Sequence, residues 1–261
     1  MEDFILMAQN PNIVSRKPGE RMVKTLDGLE YAFRWCPAGT FTMGSPLKEA
    51  GRCEDEIPHE VTLTRGFWML ETPVTQAMWE RVTRISASRQ RDRVDPNWAM
   101  RGEGTMVPIY YVNWVECRNF CTNLSKKLSA QVTLPTEAQW EYACRAGSVS
   151  AHAGNVDKMA WHFGNSKGFA TYQAGQKTPN KWGIYDMHGN VWEWCADWYG
   201  PYSEEPASDS KGPSIASCRV CRGGSWAHDP LDCRSASRLG IIPTGRSFNL
   251  GFRIVLTEPE E

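Results

Sequence analysis

The sequence predicts an irregular α+β domain whose helices come early and whose second half is built mainly from turns. Three segments before residue 147 combine helix-capping residues with apolar residues at helical spacing. Between and before them lie short runs in which apolar and polar residues alternate, as in half-buried strands. After residue 147 the chain carries many turn formers and six tryptophans between positions 161 and 226. We therefore expect few long elements and a large aromatic core.

The composition is that of a folded globular protein, and it excludes several classes of function. The 261 residues are 41% hydrophobic and 23% charged, and 29 basic against 30 acidic residues give a net charge of -1. A nearly neutral chain has no general attraction for nucleic acid. No apolar run reaches the roughly 18 residues of a membrane-spanning helix. Nine cysteines, an odd number at low density, argue against a disulfide-stapled mini-domain.

The first predicted elements are strands. Residues 1–30 are interpreted as a lead-in, and a single domain is expected over residues 31–261. Alternation predicts strands at Tyr31–Trp35, Gly39–Ser45, Val61–Thr64 and Phe67–Leu70. The acidic start of the chain and its short apolar stretch do not fit a signal peptide. The sequence therefore leaves two locations open, the cytoplasm or export with the signal already removed.

Three helices follow the strands. The first is predicted to begin near Thr75, where apolar residues recur at helical spacing. The second and third begin at capping boxes, which are Asn113 with Glu116 and Thr136 with Gln139. Gly147 is predicted to end the third helix, because glycine readily adopts the left-handed conformation of a helix end.

The segment from residue 186 to residue 194 offers oxygen ligands for a hard cation. Asp186 and Glu193 flank a Gly-Asn turn, and the carbonyl groups of Gly189 and Val191 would complete a calcium-type set. The alternative is a tight turn whose carboxylates pair with arginine or with backbone amides. Spacing alone leaves both interpretations open.

No spacing in the chain predicts a catalytic centre. Cys218, Cys221, His228 and Cys233 supply enough ligands for zinc, but the gap before His228 is long for a zinc knuckle. No local pattern pairs any of the five histidines with a nucleophile, and Gly-x-Ser-x-Gly does not occur. We expect no catalytic residue and ordinary structural roles for the histidines.

Residues 218–256 have an unusual composition. This segment contains six arginines but no lysine, glutamate, glutamine or methionine. Because a planar guanidinium can satisfy several acceptors at once, arginine suits the interior of a loop-rich fold. We expect these arginines to hold irregular backbone together, and an anion-binding patch is the alternative.

Seven motifs occur together in a fixed order, namely Phe41–Ser45, Glu56–Val61, Leu134–Ala143, Trp182–Met187, Gly189–Trp194, Arg222–Trp226 and Gly251–Arg253. Their combination resembles the formylglycine-generating enzyme (sulfatase-modifying factor) family over residues 31–256. The resemblance implies a C-type-lectin-like fold with little regular secondary structure. It also implies calcium at the positions where that family places it, which match Asp186, Gly189, Val191 and Glu193.

The sequence departs from the enzymatic branch of this family at the metal ligands. Formylglycine-generating members bind copper through two cysteines shortly after the Gly-Gly-Ser turn. Here His228 stands near the first of these positions, and Cys233 is the only thiol in that loop. One thiol cannot form a two-thiolate site, so the resemblance does not extend to the copper centre. An oxidoreductase of this type with altered metal ligands is kept as the alternative function.

The C-terminal segment, residues 218–256, is similar to the variable region of proteins diversified by retroelements. In those proteins adenine-directed mutagenesis rewrites chosen asparagine codons. Randomising the first two bases of an Asn codon that ends in a pyrimidine gives every residue type except Lys, Glu, Gln, Met and Trp. None of these five types occurs at the candidate variable positions, which are Cys221, Ala227, His228, Asp229, Pro230, Leu231, Asp232, Cys233, Ser237, Leu239, Gly240, Ile241, Ile242, Thr244, Gly245, Ser247 and Phe248. The fixed residues between them are expected to be buried and hydrogen-bonded, above all Arg222, Trp226, Arg234, Arg238 and Arg253.

The sequence therefore predicts a non-catalytic ligand-binding protein, receptor-like or adhesin-like, whose variable positions contact the ligand. Apolar residues such as Leu231, Ile241, Ile242 and Phe248 are expected at the surface and suit a protein or cell-surface partner. We expect no catalytic cofactor, a structural role for any calcium, no nucleic-acid partner and a monomeric chain. If the protein is exported, the resemblance implies a lipid-anchored protein at the cell surface.

Overall fold

The computed structural model describes residues 16–167 and 170–258, and these residues form three β-sheets with short helices packed around them. The largest sheet is antiparallel. In spatial order it contains β1 (Arg21–Leu26), β2 (Leu29–Cys36), β5 (Phe67–Leu70), β12 (Val255–Thr257) and β6 (Gln131–Thr133). Strand β12 therefore lies inside this sheet and ties the end of the domain to its beginning.

Two smaller sheets complete the architecture. The four-stranded sheet contains, in spatial order, β10 (Arg238–Ile241), β9 (Arg219–Arg222), β7 (Trp192–Trp198) and β11 (Leu250–Phe252). The three-stranded sheet contains β3 (Gly39–Met43), β4 (His59–Leu63) and β8 (Ala207–Ser208). The pairs β7–β11 and β4–β8 are parallel, so each joins segments that are distant in the chain.

The helices are α1 (Gln76–Thr83), α2 (Ala87–Asp92), α3 (Trp114–Leu128), α4 (Glu137–Arg145) and α5 (Val156–Met159). The predicted starts of α1, α3 and α4 are confirmed, because Thr75, Asn113 and Thr136 each accept a bond from a backbone N–H three residues later. Both predicted capping boxes are present. The predicted end of α4 is wrong by one residue, because the left-handed C-cap is Ala146, and Gly147, which follows it, also has a positive φ.

Buried aromatic side chains fill two main cores. In the first, Trp79 of α1 and Phe120 of α3 pack with Phe252 of β11, and the ring centroids of Phe120 and Phe252 are 5.2 Å apart. The second core surrounds Trp140 of α4 and includes Val220 of β9. The central strands β7 and β9 contribute side chains to both cores, so they hold the C-terminal segment rigidly in place.

The predicted α+β class is confirmed, and so are the four predicted strands, but the lead-in is wrong in part. Residues 21–26 form β1 and pair with β2 along their whole length. Met22 and Leu26 pack against the first core, so this segment belongs to the domain. Residues 1–15 of the predicted lead-in lie outside the described residues. No helix in the described part of the chain is long and apolar enough to cross a bilayer.

Candidate functional site

Four buried arginines, Arg222, Arg234, Arg238 and Arg253, form what we call the arginine frame of the C-terminal segment. Arg222 lies on β9 and is completely buried. It donates to the backbone carbonyls of Ser235, Ala236 and Ser237 and to the carboxylate of Glu141. One side chain thus fixes three consecutive peptide groups of an irregular stretch, as the arginine-rich composition predicts.

The other members of the arginine frame are each paired with a buried acid. Arg234 forms two hydrogen bonds with Glu56, Arg238 forms two with Glu137, and Arg253 forms two with Glu193. Burial acts to raise the pKa of Glu137, but the charges of Arg238 and Arg222 outweigh it and leave that pKa below its usual value. The expected burial and bonding of the frame are confirmed. Trp226 is buried as expected, but its indole N–H has no acceptor among the described residues.

Most candidate variable positions between the frame residues reach solvent. Ile242 is 55% exposed and Leu231 is 44% exposed. The other exposed positions are Asp229, Asp232, Leu239 and Thr244. The half-buried positions are Ala227, His228, Pro230, Gly240, Ile241, Gly245, Ser247 and Phe248. We call these fourteen exposed and half-buried positions the display surface.

Three candidate variable positions are not at the surface, which corrects the sequence-based expectation. Cys221 is fully buried because β9 runs between β10 and β7, where it pairs with Trp194 in the first core. Cys233 is fully buried against the Gly-Gly turn, and a side chain placed on Gly224 would lie 2.6 Å from its sulfur. Ser237 is buried beside Arg222, which holds its carbonyl.

Several half-buried positions of the display surface make fixed contacts. The ring of Phe248 lies 5.5 Å from that of Trp226. It also packs against a third small core formed by Val107, Tyr110 and Tyr111. Ile241 packs against the first core, so Phe248 and Ile241 are less exposed than the sequence suggested. These side chains present an edge to solvent rather than their whole surface.

The loop that follows Trp226 is held in place by side chains that hydrogen-bond to its backbone carbonyls. It contains a one-turn 3-10 helix, Pro230–Cys233. His152 Nε2 lies 3.0 Å from the Pro230 carbonyl oxygen, Arg234 Nε donates to that of Leu231, and His188 Nδ1 lies 2.7 Å from that of Cys233. No local pattern predicts a role for either histidine, because they meet this loop only through tertiary packing.

The protonation of His188 follows from its surroundings. The ring is fully buried, and its Nε2 accepts a hydrogen bond from the backbone N–H of Ala153. Burial first, and then the nearby His152, lower the pKa of His188 to about 3. The ring is therefore neutral near pH 7, with its proton on Nδ1 for the Cys233 carbonyl.

The two carboxylates of the predicted calcium site have protein partners. Glu193 is bound by Arg253 and also accepts from the indole of Trp140 at 2.7 Å. Asp186 accepts from the backbone N–H of Gly175 at 2.7 Å and has no ion-pair partner among the described residues. Burial raises the pKa of Asp186 to about 6. Carboxylate and carbonyl oxygens are the donors that a hard cation takes, but both oxygens of Glu193 already accept from Arg253, and Asp186 accepts from a backbone amide, as the alternative interpretation predicts. Asp186 is the carboxylate whose charge a bound ion would offset.

The residues at the enzymatic positions are not arranged for copper or zinc. The sulfur of Cys233 is buried, and burial, with Asp232 next, raises the pKa of its thiol above the ordinary value. The Nδ1 atom of His228 is 2.6 Å from the hydroxyl of Ser225 and accepts from the indole of Trp192. Within residues 16–167 and 170–258 no group of three His, Cys, Asp or Glu side chains is placed to hold a metal ion.

Comparison with known proteins assigns the family. The family model described as "Sulfatase-modifying factor enzyme 1-like domain" matches residues 28–258 of this chain. The chain therefore belongs to that family. The formylglycine-generating enzyme of Streptomyces coelicolor is 28% identical to this chain, over 83% of this chain and 86% of its own length.

Two solved structures share the fold along nearly their whole length. Treponema denticola variable protein 1 is 27% identical, with a TM-score of 0.79 over 90% of this chain and 98% of that one. PvdO from Pseudomonas aeruginosa is 28% identical, with a TM-score of 0.77 over 93% of this chain and 99% of that one. The fold expected from the resemblance is thereby confirmed.

Proposed function

We propose that this protein is a non-catalytic ligand-binding protein, of receptor or adhesin type, that presents the display surface to its ligand. The observation that carries the proposal is the division within residues 218–256. The arginine frame is buried and bonded, while most of the positions between its members reach solvent. The likeness to a variable protein of Treponema denticola supports the same assignment.

The anchoring of the loop by its backbone supports diversification of its side chains. A carbonyl group is the same in every residue type, so the bonds from His152, Arg234 and His188 do not depend on which side chains follow Trp226. The loop therefore keeps its path when its exposed residues change. A surface that must vary without unfolding the protein requires this property.

The environment of Cys233 is unfavourable for the alternative function, oxidation of a substrate cysteine. Copper binding by cysteine requires a thiolate, and burial of this thiol disfavours that form. The neighbouring position offers His228, whose Nδ1 is already hydrogen-bonded. A single buried thiol with a committed histidine does not supply the two thiolates of the enzymatic branch.

Two experiments test the proposal from different sides. Sequencing of the DNA around the gene should find a reverse transcriptase gene and an imperfect repeat of the segment encoding residues 218–256, with differences at adenines only. A locus that lacks either the reverse transcriptase gene or the repeat would contradict diversification. Independently, a substrate peptide incubated with the protein, copper and oxygen should keep its mass. Conversion of its cysteine to formylglycine would establish the enzymatic alternative instead.

We also propose a structural calcium ion at Asp186 and Glu193, completed by the carbonyls of Gly189 and Val191. The buried carboxylate of Asp186, which has no ion-pair partner among the described residues, supports this site, because a bound cation would offset its desolvation. Calcium should raise the melting temperature of the wild type but not that of Asp186→Asn. The gain should shrink below about pH 6, where Asp186 takes up a proton. Equal melting temperatures with calcium and with chelator at pH 7.5 would refute the site.

A further inference from the structure

A groove beside the N-terminal half of α3 contains two arginines without acidic partners. It has a volume of about 330 Å³ and is lined by Trp114, Arg118, Thr122, Thr133, Ala196 and Arg219. Arg118 is exposed and Arg219 is half-buried. Among the residues that the structure describes, no carboxylate lies within ion-pair distance of either guanidinium. In this respect both differ from the arginine frame, whose members are all paired.

Arg219 is held rigidly at the wall of this groove. Its guanidinium carbon lies 3.7 Å from the ring centroid of Trp114 and 3.4 Å from that of Trp198. The two indoles are stacked at 19°, and Nη1 of Arg219 donates to the Ala196 carbonyl at 2.7 Å. Stacking between aromatic rings fixes the plane of a guanidinium without neutralising its charge. The Nε–H of Arg219 is buried and has no acceptor.

Arg118 brings a second positive charge to the same place. Its guanidinium carbon is 5.0 Å from the centroid of Trp114, one helical turn away on α3. Burial first, and then the charge of Arg118, lower the pKa of Arg219, so the two cations repel each other. The acid whose field reaches Arg219 is Asp197, and burial raises the pKa of Asp197 to about 7. Near neutral pH that carboxyl is only partly ionised and does not compensate two cations.

We propose that this groove is a binding site for an oxyanion, a carboxylate, phosphate or sulfate group, held between Arg118 and Arg219. Both guanidinium groups line the groove, and within the described residues Arg118 donates no side-chain hydrogen bond and Arg219 donates one, to Ala196. Both therefore keep N–H donors for an oxyanion, the group that planar guanidinium donors recognise. The hydroxyl of Thr133, on an exposed strand residue that lines the groove, offers a further donor. This site is built from fixed residues and does not depend on the proposed function.

The groove lies at the edge of the display surface. Arg219 pairs with Ile241 across β9 and β10, and the backbone N–H of Trp114 donates to the Pro243 carbonyl at 3.1 Å. In the chain, exposed Ile242 lies between Ile241 and Pro243, which make these two contacts. A ligand that carries an acidic group would therefore meet a fixed contact at the groove and variable contacts beside it.

The test is calorimetric titration of the purified chain at low ionic strength with sodium phosphate, sodium sulfate and sodium glutamate in separate arms. We expect saturable binding at one site for at least one anion. Comparison of the three dissociation constants shows whether the site prefers phosphate, sulfate or carboxylate. Arg118→Gln should weaken binding by about tenfold or more, because it removes a charge-assisted hydrogen bond. Arg89→Gln removes an exposed arginine of α2 that does not line the groove, and it should leave the affinity unchanged.

Three outcomes would overturn the proposal. They are the absence of saturable binding for all three anions, an unchanged affinity in Arg118→Gln, and an equal loss in Arg118→Gln and Arg89→Gln. Arg219→Lys provides a second variant, because lysine keeps the charge but loses the planar donor fork. It should bind more weakly than the wild type while its near-ultraviolet circular dichroism remains native. Arg118 is exposed, so its variant decides the matter even if Arg219→Lys does not fold.

Discussion

The arginine frame and the display surface alternate along one short segment, yet they are held in opposite ways. Frame residues act through their side chains, which bind buried acids and backbone carbonyls, as Arg222 does. Display residues of the loop are held through their backbone, as the carbonyls of Pro230 and Leu231 are, and most display side chains reach solvent. The difference implies that tolerance to substitution changes from one residue to the next. Four predictions test this contrast, in decreasing order of the expected loss of stability.

The largest loss is expected when the frame is broken at Arg222. Arg222→Leu leaves three buried carbonyls without the donor that Arg222 supplies, and it removes one of the two arginines that bind the buried carboxylate of Glu141. Removing one partner of a buried pair costs about 3–5 kcal/mol of unfolding free energy. Arg93→Leu is the control, since Arg93 is exposed and its ion pair with half-buried Glu116 reaches solvent, where the cost is about 1 kcal/mol or less. Urea denaturation measures both, and similar losses would contradict the distinction.

His188 should make the anchoring of the loop sensitive to acid. Its pKa is about 3 in the folded protein and near 6.5 when unfolded, so only the unfolded chain binds the proton between these values. The stabilisation is complete above pH 6.5 and is lost as the pH falls, by about 2 kcal/mol at pH 5. Asp186 and Asp197, whose pKa values are raised, titrate in the opposite direction, but they are present in the variant too.

The comparison variant for this effect is His188→Gln. Its amide can donate to the Cys233 carbonyl without gaining a proton in this range. Unfolding free energies from pH 7 to pH 5 should fall less steeply in the variant than in the wild type. Parallel pH profiles would show that His188 does not carry the acid sensitivity.

Within the display surface, Gly240 should be less tolerant of substitution than its neighbour Leu239. A side chain on Gly240 would meet the ring of Tyr199, with its Cβ only 2.9 Å from the nearest ring carbon. Gly240→Val should therefore lower stability by about 1–3 kcal/mol through overpacking. Leu239→Val, at an exposed neighbouring residue of the same strand, should change it by about 0.5 kcal/mol or less. If the two variants have equal melting temperatures, Gly240 tolerates substitution as freely as the exposed positions do, and the prediction is wrong.

The smallest effect is expected when several exposed display residues change together. The variant combines Asp229→Asn, Leu231→Ser, Asp232→Asn, Ile242→Thr and Thr244→Asn. Each side chain is exposed, and asparagine at position 229 can still accept the capping bond from the backbone N–H of Leu231. The sum should stay within about 1–2 kcal/mol, since exposed substitutions usually cost about 0.5 kcal/mol or less each. A cooperative loss as large as that of Arg222→Leu would mean that these side chains support the fold.

Features that depend on neighbours in the chain could be predicted from the sequence. The helix starts at Thr75, Asn113 and Thr136 were predictable because a capping side chain bonds to its own backbone three residues away. The burial of the arginine frame was predictable for a related reason. A turn-rich segment with arginine and no lysine needs planar donors for carbonyl groups that have no partner in a helix or sheet.

The partners of the arginine frame and the membership of the display surface could not be predicted, because both depend on tertiary packing. Glu56 lies 178 residues from Arg234, and Glu141 lies 81 residues from Arg222, so no local pattern could pair them. Cys221 is a residue type that a variable position allows, but its strand, β9, runs between β10 and β7, and this placement buries the side chain. Capping and composition depend on residues that are adjacent in sequence. Burial depends on which distant segments pack on each other, and that is established only when the whole chain folds.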